Sequence, residues 1–249
     1  MTVILNTWIF EDDVKKGVSQ VDLVERVKNL GADGIEVRRE YFTDLSKELQ
    51  EIAIKAKNAG LIVNYSVPDQ IFEENGSINP QMDEYFEEGK NMGIAKIKFN
   101  TGYFKNFKGD LKKEFSKFPL DEIEMNVEND QTPVSGTVKA IDAFLSTIRS
   151  EGFERIGYVY DLGNWAFTHG DAIASAEALS QFTNYIHLKN TIEDQGKLVT
   201  SDDLDTGIYD WREILTKLPT NVQYALEYPM SSERLVEQQI RLLKKEIGE

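Results

Sequence analysis

Eight short apolar segments alternate with amphipathic helical patterns along this 249-residue chain, and no other feature narrows its possible folds so far. The segments lie at 3–10, 34–38, 61–67, 94–100, 122–128, 155–161, 184–188 and 222–228. Several are nearly continuous apolar runs, such as GLIVNYSV, as strands buried on both faces require. Between them apolar residues recur at helical spacing: Leu23, Val27 and Leu30; Leu45, Leu49, Ile52 and Ala56; Val138, Ile141, Phe144, Leu145 and Ile148; Ile173, Ala176 and Leu179; Leu235, Val236, Ile240, Leu243 and Ile247. Gly31, Gly60, Gly93 and Gly152 follow helical stretches, where a left-handed cap is needed. Pro68, Pro133 and Pro229 come just after strands, where a ladder stops.

Eight β-α alternations predict an α/β fold, a (β/α)8 TIM barrel forming a single domain over residues 1–249. An open doubly wound sheet is the alternative, but no GxGxxG or P-loop motif favours it. No Pro/Gly/Ser-rich linker divides the chain, and no fixed-period repeat runs through it. The helix at 110–117 is short, so the wall there should be thin. The stretches 67–81 and 190–209 read as long loops over the active rim, placed to act as lids.

Charge narrows the partners. There are 28 basic and 43 acidic residues, a net charge of −15. That argues against a nucleic-acid surface, which needs a concentrated basic face. The one basic cluster, Lys105, Lys108, Lys112, Lys113 and Lys117, reads as an exposed helix face, with a phosphate-steering patch as the alternative. The absence of Cys excludes thiolate chemistry and fits a reducing compartment. The opening MTVILNTWIF lacks the basic region of a signal peptide, and no apolar run reaches the roughly 18 residues of a membrane span. A cytoplasmic protein without membrane or nucleic-acid partners is expected.

Four potential ligands sit at the ends of the last four strands: Glu128 in EMNVEND, Asp161 in YVYDLGN, His187 in YIHLKN and Glu227 in YALEYP. Alone, each has an ordinary explanation as a cap, a loop contact or a core histidine. Together, three carboxylates and one imidazole form a suitable shell for a divalent cation, and parallel barrel strands would converge them on the carboxyl-terminal rim. Burying the three acids there without a cation would be costly. Other strand-end residues are candidate substrate contacts: Trp8, Glu36, Tyr65, Asn100, Asn164, Trp165 and Lys189, with Asn6, Arg38, Ser66 and Lys98 beside them. An aromatic such as Trp8 or Trp165 could cover the apolar face of a sugar. His169 reads as a solvated loop residue.

With these residues in place, the chain resembles the xylose-isomerase-like TIM barrels, which include sugar and sugar-phosphate isomerases and epimerases, inosose dehydratase and endonuclease IV. The resemblance rests on GADGIEVRREYF, VEND, YDLGNWAFTHGD, IHLKN and LDTGIYDWREIL, and on the order Glu, Asp, His, Glu; it spans essentially the whole chain. It implies that Glu128, Asp161, His187 and Glu227 bind one divalent ion, with Mn²⁺ or Mg²⁺ favoured and Co²⁺ or Zn²⁺ admitted. It also implies that Glu128 and Glu227 double as catalytic acid and base, one removing a proton next to a carbonyl and the other returning it from the opposite face. The substrate would be a small sugar or polyol, and barrels of this kind often form homo-oligomers. Three family substrate contacts are replaced here, by Val134, Asn164 and Glu193, which weighs against free-ketohexose 3-epimerase activity. Endonuclease IV fits poorly, since its site is rich in His and only His169 and His187 occur. The expected function is a metal-dependent isomerase or epimerase. The alternatives are a dehydratase acting on a keto-polyol or dehydroshikimate-like acid, and a non-catalytic sugar-binding barrel.

Overall fold

The computed structural model describes residues 1–248. Its strands are β1 (Thr2–Asn6), β2 (Gly34–Arg38), β3 (Ile62–Phe72), β4 (Lys96–Gly102), β5 (Glu124–Glu128), β6 (Ile156–Asp161), β7 (Thr183–Leu188), β8 (Thr191–Asp194), β9 (Lys197–Thr200) and β10 (Gln223–Leu226). Strands β1 to β7 and β10 pair in parallel, and β10 closes on β1 to complete an eight-stranded barrel. The helices are α1 (Glu11–Lys15), α2 (Gln20–Asn29), α3 (Leu45–Ala59), α4 (Met82–Met92), α5 (Leu111–Phe115), α6 (Val138–Ser150), α7 (Asn164–Phe167), α8 (Ala172–Leu179), α9 (Trp211–Leu215) and α10 (Glu233–Ile247). This is the (β/α)8 architecture that the alternation predicts. Among the described residues, no helix is long and apolar enough to cross a membrane.

Side-chain parity divides the barrel into two environments. One set of alternate residues joins the large core between strands and helices: Val3 and Leu5, Ile35 and Val37, Ile97 and Phe99, Met125 and Val127, with Leu23, Ile52, Phe86, Ile141 and Leu243 from the helices. The other set points into the barrel. Ile4, Val159, Tyr185 and Ala225, with Ile62 against them, make a small separate apolar layer there. Gly34 leaves room for it, because a Cβ at that position would lie 2.5 Å from Ile4 Cδ1. One step along the same strands, towards their carboxyl ends, polar residues replace the apolar ones. The strands are therefore buried on both faces, but the upper interior is polar.

Three local features differ from the sequence expectation. Strand β1 stops at Asn6, whose Oδ1 accepts a hydrogen bond from the Trp8 N–H (2.8 Å) and starts a 3-10 turn over Thr7–Phe10. Strand β3 runs past Pro68 to Phe72, with a register shift between Ser66 and Gln70; Pro68 has no N–H to give a ladder, and the irregularity spans it. The first six of the fifteen residues in the expected loop 67–81 are thus strand. The stretch 190–209 contains the antiparallel hairpin β8–β9, turned by Gln195 (φ 50°) and Gly196 (φ 77°), two consecutive left-handed residues as a two-residue hairpin requires. The short α5 is as expected. Phe72, Phe104, Phe107, Phe115 and Phe144 pack against one another beside it, at centroid distances of 5.1–6.1 Å, and fill the wall.

Buried Glu48 ties two active-face connections together. Its carboxylate accepts from the N–H groups of Thr43 and Asp44 (both 2.9 Å), from the Thr43 hydroxyl (3.0 Å) and from the hydroxyl of Ser19, the N-cap of α2 (2.6 Å). Burial pushes this carboxyl up, but the Asp44 N–H, Ser19 and Thr43 together hold it below its usual value. A depressed folded pKa contributes stability that is present at neutral pH and is lost as pH falls through that value. Glu48→Gln should therefore cost about 1–3 kcal/mol in urea unfolding at pH 7, with a smaller deficit at pH 3. An equal deficit at both pH values would contradict this role.

Candidate active site

The polar upper layer brings together residues from every strand end around the mouth. Glu128, Asp161, His187 and Glu227 are all buried, and one ligand-type atom from each lies within 4.8 Å of the others. Glu128 Oε1 and Glu227 Oε2 lie 3.2 and 3.1 Å from the same atom, His187 Nδ1. The opposite ring nitrogen, Nε2, lies 3.3 Å from Glu36 Oε2. Asn6 Nδ2 donates to both Glu36 (2.5 Å) and Glu227 (3.0 Å). The end of β6 is clamped by Asn129. Its Oδ1 accepts from the Asp161 N–H (2.9 Å) and the Tyr158 hydroxyl (2.6 Å), while its Nδ2 donates to the Asp161 carbonyl (2.9 Å).

Three cations face these acids. Lys98 Nζ donates to Glu128 Oε2 (2.8 Å) and lies 3.6 Å from Glu227 Oε1. Lys189 Nζ lies 2.6 Å from Asp161 Oδ2 and 3.2 Å from Glu227 Oε2. Arg38 Nη1 donates to Glu227 Oε1 (3.0 Å). Burial disfavours charge on every carboxylate here, and the outcome depends on the neighbours. Lys98, set partly against Glu227, holds Glu128 down to about 2, and Lys98, Lys189 and His187 hold Glu227 well below the usual range. At Asp161 burial outweighs Lys189, and with Glu128 and Glu227 adding repulsion the carboxyl rises to about 7. The His187 ring is held well above the usual imidazole value because Glu36 and Glu227 overcome its burial.

The donor set fits a divalent ion. Glu128 Oε1 and His187 Nδ1 are buried and face one another without an aligned hydrogen bond. Glu36 on Nε2 leaves Nδ1 turned to the carboxylates, the arrangement that orients a metal-binding imidazole. Oxygen-rich ligation with one nitrogen suits a hard or borderline ion. Above the cluster lies a cavity of about 230 Å³, bordered by Trp8, Arg38, Lys98, Asn100, Asn164 and Lys189 among others, with Glu128 and Glu227 at its base.

The predicted contacts separate into two groups. Trp8, Asn100, Asn164 and Lys189 border the cavity. Glu36 lies behind His187 and reaches it, not the cavity. Tyr65 and Trp165 are corrections. Tyr65 has the outward parity of β3 and donates its hydroxyl to Glu88 on α4 (2.5 Å). Trp165 is buried in α7, packs on Tyr160 and borders a separate cleft with Gly136, Thr168 and Gly170. The basic cluster Lys105 to Lys117 is exposed around α5, with Lys117 paired to Glu114. Asn129 and Gln131 were not singled out from the sequence, although Gln131 borders the cavity and donates to Asn164 Oδ1 (3.0 Å). The only sequence signal for Asn129 is its place directly after a strand-end acid.

No family model matches the sequence, and no curated protein matches it significantly. Solved structures do share its fold. The probable 3-DHS dehydratase AsbF of Bacillus anthracis, involved in petrobactin synthesis, superposes with a TM-score of 0.72 at 15% identity, over 98% of this chain and 99% of that one. L-ribulose 3-epimerase gives 0.71 at 12% identity, over 99% and 95%. The IolI protein with a bound zinc atom gives 0.67 at 15% identity, over 99% and 98%. At these identities the likeness establishes the fold alone, a closed (β/α)8 barrel.

Glu36→Gln keeps the size of the side chain but removes the carboxylate behind His187. It should weaken Mn²⁺ binding about 10–100-fold, as loss of such a partner does elsewhere, when measured by equilibrium dialysis. An unchanged affinity would remove Glu36 from this role.

Proposed function

We propose that this chain is a divalent-metal-dependent isomerase or epimerase that moves a proton at a carbon next to the carbonyl of a small sugar, sugar phosphate or related polyhydroxy compound. The observation that carries this reading is the pair Glu128 and Glu227, two buried carboxylates at the base of one cavity, each about 3 Å from His187 Nδ1. A divalent ion held by Glu128, Asp161, His187 and Glu227, with Mn²⁺ or Mg²⁺ favoured, would polarise the carbonyl and stabilise negative charge on its oxygen.

The residues of the chain supply the remainder. Glu128 and Glu227 stand on strands three places apart round the barrel, so they approach the cavity from different sides. One takes the proton and the other returns one to the opposite face of the carbon. Asp161 and His187 hold position only, fixed by Asn129 and Glu36. Lys98 and Lys189 favour the ionised form of whichever glutamate acts as base, and the other enters the turnover carrying the proton that it delivers. Asn100 and Asn164 offer amides to substrate hydroxyls, and Trp8 offers a flat apolar face beside Arg38 and Lys189. Sugar epimerases and the zinc-bearing IolI share the fold, which supports the reading.

A dehydratase is the second reading, supported by the likeness to AsbF. The first proton abstraction is the same, followed by loss of a β-hydroxyl as water. Product mass separates the two: unchanged for an epimerase, one water lighter for a dehydratase.

In D₂O with Mn²⁺ and a panel of ketoses and keto acids, the wild-type protein should incorporate deuterium next to the carbonyl. Glu128→Gln and Glu227→Gln should each reduce that exchange by about 10²–10⁴-fold with the melting transition retained. Wild-type exchange in both variants would sink the mechanism.

A further inference from the structure

Residues 190–210 leave the carboxyl-terminal rim after β7, yet none of them borders the cavity above the acid–histidine cluster. The base of this segment is fixed. Buried Asn190 donates to the carbonyls of Leu204 and Tyr209 (both 2.9 Å) and accepts from the Thr191 N–H (2.9 Å). Leu204 is fully buried, and its N–H donates to Gln239 (3.0 Å). The outer part is open to solvent. It carries Ile208 and Val199, 54% and 37% exposed, two of the four large apolar side chains left exposed among the described residues. Its charge is one-sided, with six acids against Lys197 alone. Glu193, Asp194, Asp202 and Asp203 form no ion pair among the described residues. A rigid segment that holds isoleucine in water within a ring of unpaired acids serves nothing in its own barrel.

A surface of opposite character lies on the same rim. The connections after β4 and β5 and the first turns of α6 enclose an apolar cavity of about 400 Å³, lined by Phe104, Pro133, Val134, Ala140 and Ala143. Exposed Lys105 and Lys139 border it, and Lys108, Lys112, Lys113 and Lys117 follow along the chain. Of these six lysines, only Lys117 is ion-paired among the described residues. No residue of 190–210 borders this cavity, and β5 and β6 separate β4 from β7 in the barrel, so one copy does not bring the two surfaces together. In a chain of net charge −15, a basic face around an apolar hollow calls for an acidic partner with an apolar tip. The segment 190–210 of a second copy has both. Because each copy carries both surfaces, a twofold axis makes the contact twice and leaves none unmatched.

We propose that the protein forms a twofold dimer in which Ile208 of each copy enters the apolar cavity beside α6 of the other, with the acids of 190–210 facing the lysines around that cavity. Burial of Ile208 supplies affinity, while the opposite charges set register and salt dependence. The segment is already ordered in the free chain, so docking costs little conformational entropy. Sedimentation of the full chain over a dilution series should give twice the chain mass, with dissociation favoured by added salt. Ile208→Asp should raise the dissociation constant at least about tenfold, and so should Lys105→Glu combined with Lys139→Glu. The chain contains no Cys, so cross-linking locates the contact cleanly. A mixture of the Ile208→Cys and Ala143→Cys proteins should give, under mild oxidation, a disulfide-linked pair with one copy of each, faster than either variant alone. All four substituted side chains are exposed, so the melting temperature of the dissociated chain should stay near that of the wild type. A protein that is monomeric at every concentration would leave the cavity to an apolar part of a small molecule and overturn the proposal. A dimer that survives both sets of substitutions, or a mixture that gives no preferential cross-link, would overturn it as well.

Discussion

Four carboxylates buried in one barrel mouth repel one another and have lost their water, so the upper half of this molecule is organised around supplying them with positive charge. Lys98 bridges Glu128 and Glu227, Lys189 bridges Asp161 and Glu227, and Arg38 meets Glu227 from the third side. Asp161 is the group this arrangement satisfies least, since burial and two neighbouring acids push it up to about 7 despite Lys189. A divalent ion among the four ligands would answer that remaining imbalance.

The barrel makes the cluster affordable in conformational terms. In the upper half of the barrel, strand parity sends apolar side chains outward to the helices and polar ones inward, so each functional residue rides on a strand whose other face is locked in the core. The hydrogen bonds that orient the ligands come from rigid positions as well: Glu36 from the middle of β2, Asn6 from the end of β1, and Asn129 from the residue just after β5. Little reorganisation is left for the moment of binding, which is the condition under which fixed charges and dipoles act most strongly.

Much of this was legible in the amino-acid sequence. The alternation of apolar runs with amphipathic helices leads to a closed parallel barrel, and strand-end position singles out Glu128, Asp161, His187 and Glu227, which the fold brings together. Strand-end position alone misplaces Tyr65, because it ignores parity. Asn64 and Ser66, its polar neighbours in an apolar run, mark the inward face and leave Tyr65 pointing out to Glu88. The hairpin β8–β9 was hidden because its turn needs a left-handed Gln195, a residue with no special preference for that conformation. Lys98 and Arg38 were visible as charges at strand ends, but their pairing with acids 30 and 189 residues away depends on the order of strands round the barrel, which no local spacing records.

The central claim is that the buried acid–histidine cluster is a metal centre. The most direct test is the metal content of the purified protein, paired with its melting temperature before and after chelation. The account predicts about one divalent ion per chain and a clear fall in melting temperature on its removal, restored by Mn²⁺ or Mg²⁺. A protein that carries no metal and shows no thermal response to Mn²⁺, Mg²⁺, Co²⁺ or Zn²⁺ would contradict it.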